Sequence, residues 1–518
     1  MSFYNLALLY ENVFKINGEK IALCYSTENS SKSISFTDLS YLSNRISHYL
    51  VSLSLSKGDV ITILNDKSPM GFATMLGAIQ EGIAYINLDP NSPPSRINKI
   101  NEICKPKVLF FSDQYIDLAN DLAINKNHKI SYTNKKFLLD LNKFPNSISP
   151  NIHSLTGETP AYIMFTSGST GFPKGAVMTH GNVLNLIKWS QKRFKLNGNE
   201  IFTNVNPLYF DNSVFDFYCS LFNGIALAPF TNDETRQAKK LVLSIEEIGC
   251  THWFSVPSLL VYLLRMKSLS NDSIPILNTI TFGGEGFPKN LLRKLNDLFP
   301  KKKLINVYGP TECSCICSSY VVRSEDMNSS SLLPLGTINQ NFEYLILDEN
   351  EKEVPKNNIG ELFLLGPCVG KGYYNSKDRT KEVFIQNPQN NSYSELGYKT
   401  GDLVWEDSGT GLLHFQSRKD YQIKHMGYRI ELQEIEATLG GLPNVVECAV
   451  LYHKNKDASS GQITAYVVTQ ENASNANEII ELLRNDLPYH MIPQSVKFSK
   501  SLPKNSNGKI DRLAIASL

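Results

Sequence analysis

Apolar runs of the kind found in buried strands alternate with helical stretches through most of the chain. Residues 59–64 (DVITIL), 83–88 and 107–111 (KVLFF) predict strands, and residues 70–81 predict a helix between the first two. Continuous apolar runs separated by helix-length segments are typical of parallel strands covered by helices on both faces. This rhythm predicts an α/β fold of layered, largely parallel sheets.

Two later regions have a different pattern. Between residues 332 and 365, short strands such as EYLILD and GELFLLG are interrupted by Gly, Pro, Asn and Asp, which favours an antiparallel sheet or a small β-barrel-like part. After residue 420 the pattern predicts a compact α+β unit with a helix at 430–439, strands at 445–453 and 462–469, and a helix at 477–486.

Length and charge limit the functional classes. A chain of 518 residues exceeds what one hydrophobic core usually serves, and we predict a large domain, 1–418, and a small α+β domain, 419–518. The 51 Lys and Arg residues balance 50 Asp and Glu residues, which argues against a nucleic-acid binder. No apolar run approaches the roughly 18 residues of a membrane span, and no secretory signal is visible at the start. Nine scattered Cys do not suggest a disulfide framework. These features predict a cytoplasmic enzyme with neither nucleic acid nor membrane as a partner.

The most informative segment is a glycine-rich loop in residues 162–175, YIMFTSGSTGFPKG. Glycines let backbone N–H groups approach an anion, while the hydroxyls and Lys174 add donors and a positive charge. The spacing differs from the GxxxxGK[ST] of a P-loop, and a flexible linker would rarely follow a strand directly. The segment predicts a polyphosphate-binding loop formed by Thr166, Ser167, Gly168, Ser169, Thr170, Gly171 and Lys174.

Further motifs follow one another in a fixed order: EGIAYINLDP at 81–90, YGPTE at 308–312, YKTGDL at 398–403, RKDYQIKHMGYRIELQEIE at 418–436, LPYHMIP at 487–493 and LPKNSNGKID at 502–511. Together with the loop they closely resemble the adenylate-forming superfamily, which includes acyl- and aryl-CoA ligases and the amino-acid adenylation domains of nonribosomal peptide synthetases. The resemblance implies a two-step reaction. A carboxylate attacks the α-phosphorus of ATP and releases pyrophosphate, and a thiol then attacks the acyl-adenylate.

The resemblance also implies roles for residues of the nucleotide site. Glu312 is the expected Mg²⁺ ligand, Thr311 a donor to the α-phosphate and Tyr308 a stacking partner for adenine. Asp402 is expected to bind the ribose and Arg418 the ribose and phosphates, although Ser417 stands where the family usually has glycine. The remaining nucleotide contacts are expected from Gly284, Glu285 and Gly309.

Three positions are implied to act in the small domain. Lys509 in NSNGKID matches the catalytic lysine, which would lessen the repulsion between carboxylate and phosphate. Asp420 resembles the hinge about which the small domain rotates between the two steps, and Gly427 would let the thiol-bearing arm approach the backbone. Considered alone, a solvated lysine and an ordinary turn glycine are common alternatives.

A segment at 207–221, PLYFDNSVFDFYCSL, resembles the substrate motif of amino-acid adenylation domains. Asp211 would bind the α-ammonium, because a carboxylate in an apolar pocket needs a cationic partner. The alternative is that Asp211 caps the following helix. The implied pocket carries no second charge, and its two Phe favour a small or medium neutral amino acid such as alanine, serine, threonine, valine or proline. It consists of Asp211, Asn212, Phe215, Phe254, Thr281, Gly283, Val307 and Cys315, with Ile316 adjacent.

Two other features are less informative. Cys313, Cys315 and Cys317 would lie on one face of a strand, and their spacing does not favour a metal site. His252, beside Trp253, could contact substrate or pyrophosphate, but a structural histidine is equally compatible with its apolar surroundings.

The layout most resembles a stand-alone amino-acid adenylation domain or a D-alanine–carrier protein ligase, enzymes of the kind used in antibiotic biosynthesis. The sequence has no recognisable carrier segment, so we expect a monomer that charges the phosphopantetheine thiol of a separate carrier protein. An acyl- or aryl-CoA ligase remains an alternative, although Asp211 argues against it. A non-catalytic nucleotide-binding module is a third possibility, disfavoured because Lys174, Glu312, Asp402, Arg418 and Lys509 are all present.

Overall fold

The computed structural model describes residues 3–27, 30–168, 171–329, 331–454, 461–470, 475–504 and 510–516. The strands within these residues are β1 (Ile21–Thr27), β2 (Ser30–Ser35), β3 (Val60–Leu64), β4 (Ala84–Asn87), β5 (Val108–Phe111), β6 (Lys129–Ser131), β7 (Pro160–Thr166), β8 (Lys174–Thr179), β9 (Ile201–Asn204), β10 (Ala226–Pro229), β11 (His252–Ser255), β12 (Thr279–Gly283), β13 (Lys303–Tyr308), β14 (Ser318–Val321), β15 (Thr337–Ile338), β16 (Glu343–Leu347), β17 (Gly360–Leu365), β18 (Phe384–Gln386), β19 (Leu396–Glu406), β20 (Leu413–Arg418), β21 (Gln422–His425), β22 (Tyr428–Glu431), β23 (Val445–Lys454), β24 (Gly461–Thr469) and β25 (Ser495–Phe498). The helices are α1 (Leu6–Ile16), α2 (Phe36–Ser52), α3 (Pro69–Glu81), α4 (Pro94–Cys104), α5 (Ile116–Asp121), α6 (Lys135–Leu141), α7 (His180–Phe194), α8 (Asn212–Leu221), α9 (Asn232–Arg236), α10 (Ala238–Ile248), α11 (Pro257–Arg265), α12 (Lys289–Leu298), α13 (Lys377–Val383), α14 (Leu432–Gly440), α15 (Ala476–Arg484) and α16 (Arg512–Ala516).

Two large sheets form the α/β layers. Their strand orders are β15-β14-β13-β12-β11-β9-β10-β1-β2 and β6-β5-β3-β4-β7-β8, and most of the central pairings are parallel. Every residue of β3 is buried, as expected for a parallel strand covered on both faces. The predicted strands at 59–64, 83–88 and 107–111 and the helix at 70–81 are confirmed as β3, β4, β5 and α3, each within one residue at either end.

The glycine-rich loop joins two antiparallel strands. β7 ends at Thr166, which pairs with Lys174 at the start of β8. No helix follows the loop directly, whereas a P-loop leads from a strand into a helix N-terminus. Anion binding here would therefore depend on the loop's own N–H groups, hydroxyls and lysine.

The third sheet confirms the predicted antiparallel part. Strands β16, β17, β19 and β18 pair antiparallel in that order, and β20 pairs with β19. This pairing sets Asp402 of β19 directly opposite Arg418, the last residue of β20. Two residues that are 16 positions apart in the sequence thus become neighbours at the sheet edge.

The small C-terminal unit combines the β21–β22 hairpin, α14, α15 and the sheet β23-β24-β25 around its own apolar core. The predicted helix at 430–439 is wrong at its start, because Tyr428–Glu431 forms β22 and the helix begins at Leu432. Met426 and Gly427 both have positive φ, 51° and 82°, and form a two-residue hairpin turn that pairs the preceding strand with residues 428–431.

The division of the chain into a large domain, 1–418, and a small domain, 419–518, stays a prediction. No helix among the described residues is long and apolar enough to cross a membrane.

Candidate active site

A cavity of about 530 Å³ lies where the two large sheets, the antiparallel sheet and the small unit meet. Its walls come from the end of β7, the segment that leads into α8, the end of β13, strands β19 and β20, and the β21–β22 hairpin. Of the predicted nucleotide residues, seven line it: Thr166, Ser167, Gly284, Tyr308, Gly309, Asp402 and Arg418. Four do not, namely Gly168, Gly171, Lys174 and Glu285, and Ser169 and Thr170 lie outside the described residues.

Asp402 is held by two side chains at the cavity edge. Tyr308 donates its hydroxyl hydrogen to Asp402 Oδ2, and Arg418 Nη1 donates to Oδ1 at 2.9 Å. The predicted hinge residue Asp420 receives two further bonds from the same guanidinium, at 2.9 and 2.6 Å. Such bidentate pairing fixes the plane of the guanidinium. Arg418 therefore bridges the predicted ribose-binding carboxylate and the predicted hinge.

Glu312 follows Thr311 in the chain but does not line the cavity, and its side chain is fully buried. Tyr373 donates its hydroxyl hydrogen to Oε1 at 2.7 Å, and Arg429 Nη1 donates to Oε2 at 2.8 Å. Burial alone would raise the pKa of this carboxyl, but Arg429 and Lys174 lower it to about 2. Glu312 is therefore ionised at neutral pH. Thr311, its neighbour, lines the cavity.

Asp211 faces the cavity from the start of α8. Its Oδ2 accepts a hydrogen bond from Thr311 Oγ1 at 2.5 Å, and its side chain makes no capping bond to the helix, so the capping alternative is wrong. Burial raises the pKa of Asp211, and Thr311 and Lys424 oppose that shift. Among the described residues, Asp211 forms no ion pair within 4 Å. Within the described part of the chain, Lys424 and Arg429 act on this carboxylate through space and do not pair with it directly.

The predicted substrate pocket is only partly assembled around this carboxylate. Asp211, Asn212, Phe254, Val307 and Cys315 line the cavity. Phe215 lies behind the wall, packed against Phe202 and Phe254 with ring centroids 5.7 and 5.2 Å apart. The other two residues, Thr281 and Gly283, are on β12 and do not line the cavity.

The cysteine segment is a turn. Residues 311–313 form a 3₁₀ turn, and Ser314 and Cys315 have positive φ. The expected strand across Cys313, Cys315 and Cys317 is therefore wrong, and β14 begins only at residue 318.

The ring of His252 stacks on that of Phe202, with centroids 4.8 Å apart, and a ring nitrogen lies 3.0 Å from Thr251 Oγ1. It lies outside the cavity lining, which favours the structural interpretation of this histidine.

The small unit contributes residues that the sequence analysis did not single out. Lys424, Tyr428 and Arg429 reach the cavity from the hairpin, and Lys424 Nζ lies 5.6 Å above the Tyr308 ring. Their segment was quoted only as part of a motif. Tyr428 and Arg429 are consecutive in it, so no alternating pattern singled these residues out. A ring of aromatic side chains also flanks one end of the cavity: Tyr209, Phe210, Tyr428, Tyr489 and His490.

Gly427 lines the cavity as predicted, at the tip of the hairpin. Its N–H donates to Glu285 Oε2 at 3.1 Å, and a Cβ at this position would lie 2.9 Å from Val256 Cγ2.

The predicted catalytic lysine, Lys509, lies outside the described residues. On either side of it, Lys504 pairs with Glu447 at 2.5 Å and Ile510 packs with Leu502, and neither flanking residue lines the cavity.

The family model described as AMP-binding enzyme matches residues 10–374, and the model for the C-terminal domain of AMP-binding enzymes matches residues 434–509.

The chain belongs to the AMP-binding enzyme family.

Among its relatives in this family are enzymes named D-alanine–D-alanyl carrier protein ligase from Bacillus cereus (strain AH187) and Bacillus mycoides (strain KBAB4). Each is 32% identical over 492 residues, which cover 93% of this chain and 94% of the relative.

Solved structures share the fold of this AMP-binding enzyme. An artificially fused adenylation–PCP di-domain NRPS, NpsA-ThdA from Klebsiella oxytoca, superposes with a TM-score of 0.81 at 22% identity and covers 96% of this chain and 94% of its own. A double mutant of o-succinylbenzoate CoA synthetase from Bacillus subtilis gives 0.84 at 20% identity, covering 100% and 98%. The fold is therefore common to an NRPS adenylation protein and a CoA synthetase.

Proposed function

We propose that the chain activates an amino acid with ATP and then charges a carrier protein. In the first step a carboxylate oxygen of the amino acid attacks the α-phosphorus, and pyrophosphate leaves. In the second, the phosphopantetheine thiol of a separate carrier protein attacks the carbonyl carbon of the aminoacyl-adenylate, and AMP leaves.

Asp211 is the observation that carries the amino-acid assignment. A carboxylate in the cavity wall with one hydroxyl partner is costly unless a cation binds beside it. The α-ammonium of an amino acid supplies a directly paired cation, whereas a fatty or aryl acid leaves Asp211 with only the through-space effect of Lys424 and Arg429. The names of the Bacillus relatives support this choice and add D-alanine as the first substrate to test. Phe254 in the cavity lining is consistent with a short side chain.

The nucleotide would bind along the cavity edge. Thr166 Oγ1 is buried and finds no hydrogen-bond partner among the described residues, as expected for a donor awaiting a phosphate oxygen. Tyr308 offers its ring to adenine, Asp402 its remaining lone pairs to the ribose hydroxyls, and Arg418 a fixed guanidinium.

The ionised carboxylate of Glu312 suits Mg²⁺. One ionised carboxylate combined with phosphate oxygens and waters is the usual way in which proteins hold this hard cation. Glu312 would hold the ion beside Thr311, and the bound ion supplies positive charge to the triphosphate. Thr311 would orient the α-phosphate, while Asp211 holds the ammonium so that the carboxylate can reach phosphorus.

The second step would use the arrangement described here, with the β21–β22 hairpin over the cavity. Gly427 lines the cavity without a side chain, so a thiol-bearing arm could pass beside its backbone, and its conformation is one that a side chain rarely adopts. The aromatic end of the cavity offers apolar walls to a pantetheine chain. Hinge rotation at Asp420 would separate this arrangement from the one that brings Lys509 to ATP.

A pyrophosphate-exchange panel tests the assignment. With ATP and Mg²⁺, we expect exchange of labelled pyrophosphate to depend on one or a few small neutral amino acids, with D-alanine, L-alanine, serine, threonine, valine and proline assayed first. Fatty and aryl acids serve as controls. Exchange with those acids alone would contradict the proposal, and so would absence of exchange with every acid. Offering a holo-carrier protein and coenzyme A to the loaded enzyme then separates the two thiol acceptors.

The pH dependence of amino-acid binding is a further expected result. Because burial raises the pKa of Asp211, its carboxylate protonates at a higher pH than an exposed aspartate does. Above this raised pKa the carboxylate is charged and binds the ammonium; as pH falls through it, affinity for the amino acid should fall while affinity for ATP changes less. Calorimetric titrations with the amino acid and with ATP, repeated across the acidic pH range, measure the two affinities. An amino-acid affinity that is flat down to the ordinary pKa of aspartate would contradict the role of Asp211.

A further inference from the structure

An asparagine in the cavity wall offers a hydrogen-bond acceptor that the proposed reaction does not use. Asn206 lies two residues after β9, lines the cavity and is 4% exposed. Its Nδ2 donates to the Phe254 carbonyl oxygen and to Asp216 Oδ2, both at 2.9 Å. Because a backbone carbonyl can only accept, these bonds fix which way the Asn206 amide faces.

The oxygen of the same amide is left open. Asn206 Oδ1 accepts no hydrogen bond from the residues that the structure describes, and it is not one of their fully buried polar atoms without a partner. Asn206 is buried apart from the surface with which it lines the cavity, so Oδ1 faces the cavity. Both amide hydrogens are engaged behind the wall, and the cavity therefore meets an acceptor.

A buried polar cluster holds this orientation. Asp216 is fully buried, its Oδ2 also accepts from Asn204 Nδ2 at 2.9 Å, and Lys67 acts on its carboxylate through space. Turning the Asn206 amide over would bring its oxygen against the Phe254 carbonyl, two acceptors with no hydrogen between them. The cluster thus fixes where the acceptor lies.

The acceptor belongs to the part of the cavity assigned to the amino acid. Phe254, whose carbonyl holds Asn206, is one of the predicted pocket residues that line the cavity. Burial raises the pKa of the Cys315 thiol, and Asp211 and Asp216 raise it further, so both carboxylates lie near one side chain of the wall. At about 1.5 Å per residue, Asp216 lies roughly 7.5 Å further along α8 than Asp211.

A small amino acid with a side-chain hydroxyl has groups for both ends of this span. Its ammonium would pair with Asp211, and its hydroxyl, three bonds away, would donate to Asn206 Oδ1. We propose that Asn206 selects a hydroxy amino acid, serine or threonine, over alanine, valine and proline. The inference rests on the proposed function and deepens it, because it assumes that Asp211 holds the ammonium.

The selection has a physical cause in the unpaired oxygen. With alanine or valine bound, Asn206 Oδ1 would be shut away from water without a donor. A site built to bond a hydroxyl rejects a substrate that lacks it for this reason, whereas an apolar pocket discriminates weakly between such substrates.

Matched substrate pairs test the selection in the unmodified protein. Serine differs from alanine by one oxygen, and threonine has nearly the shape of valine, so each pair isolates the hydroxyl. We expect kcat/KM in pyrophosphate exchange to be at least about tenfold higher for the hydroxy member of the pair that fits the pocket, the effect of one net hydrogen bond. The D and L forms of each amino acid are both assayed.

Variants connect the preference to Asn206. Asn206→Leu keeps the approximate size of the side chain and removes the acceptor, and Asn206→Ala removes the whole amide. Both should lower the preference of about tenfold to near one, and calorimetry should find their affinity for ATP unchanged. The matched control is Asn223→Ala, which removes an asparagine just after α8, outside the cavity lining, that donates to the Cys219 carbonyl at 2.9 Å. This control should keep the preference.

Three results would overturn the inference. They are equal kcat/KM for the two members of each pair in the unmodified protein, an unchanged ratio in Asn206→Leu with normal ATP affinity, and a uniform loss for all amino acids in that variant, which would assign Oδ1 to the ammonium. The first needs no variant to fold. In each case exchange still depends on amino acids, so the proposed function stands. Exchange with no amino acid would remove both.

Discussion

Replacing Asp211 by alanine is expected to weaken amino-acid binding by about 3 kcal/mol, or about a hundredfold, because a buried ammonium would lose its charged partner. ATP binding should change little, since Asp211 contacts Thr311 and the cavity rather than the edge formed by Asp402 and Arg418. Separate titrations with the amino acid and with ATP measure the two effects.

Two further variants separate charge from structure. Asp211→Asn keeps the size of the side chain and an oxygen that can accept from Thr311, but removes the charge, so we expect a loss of affinity close to that of the alanine variant. Asp140→Ala removes an exposed aspartate paired with Lys143 and should bind the amino acid normally. An equal loss of affinity for ATP and amino acid in the Asp211 variants would show that the pocket assignment is wrong.

Replacing Lys509 by alanine is expected to slow adenylate formation by a factor of about 10²–10³, the usual cost of removing one group that stabilises developing charge. Transfer from preformed aminoacyl-adenylate should be unaffected. In the arrangement described here the hairpin residues reach the cavity, whereas Lys504 and Ile510, the described residues on either side of Lys509, do not line it. Pyrophosphate exchange reports the first step and single-turnover transfer the second.

Lys504→Ala is the matched control for that experiment. It removes a lysine five positions earlier whose partner is Glu447 within the same unit, so it tests whether loss of any charge from this segment is harmful. We expect nearly normal rates in both steps. Equal damage to both steps by Lys509→Ala would contradict its assignment to adenylation alone.

Much of the fold could be predicted from local patterns. Nearly continuous apolar runs located β3, β4 and β5, because a strand covered on both faces needs apolar side chains at most positions. The start of α14 was placed two residues too early, because the turn at Met426 and Gly427 recruits the following residues into a strand. Periodicity alone does not reveal where such a turn sets the boundary.

The candidate site was less accessible to prediction. Motif resemblance selected Asp211, Tyr308, Thr311 and Asp402, which the structure brings to one cavity, but it also selected Phe215 and Thr281, which lie outside the lining. A motif gives the position of a residue along a strand or helix. It does not give the packing of neighbouring strands, which decides whether a side chain reaches the cavity or remains behind its wall.

The sequence by itself determined the α/β layers, the antiparallel part and the position of a glycine-rich loop directly after a strand, because periodicity, glycine content and residue spacing are local properties. Only the tertiary structure decided what these groups contact. Glu312 and Arg429 are 117 positions apart, and Lys174 and Glu431 are 257 apart. Such pairings depend on how the small unit docks against the large one. No local pattern identifies which charged residue of a distant segment becomes the partner.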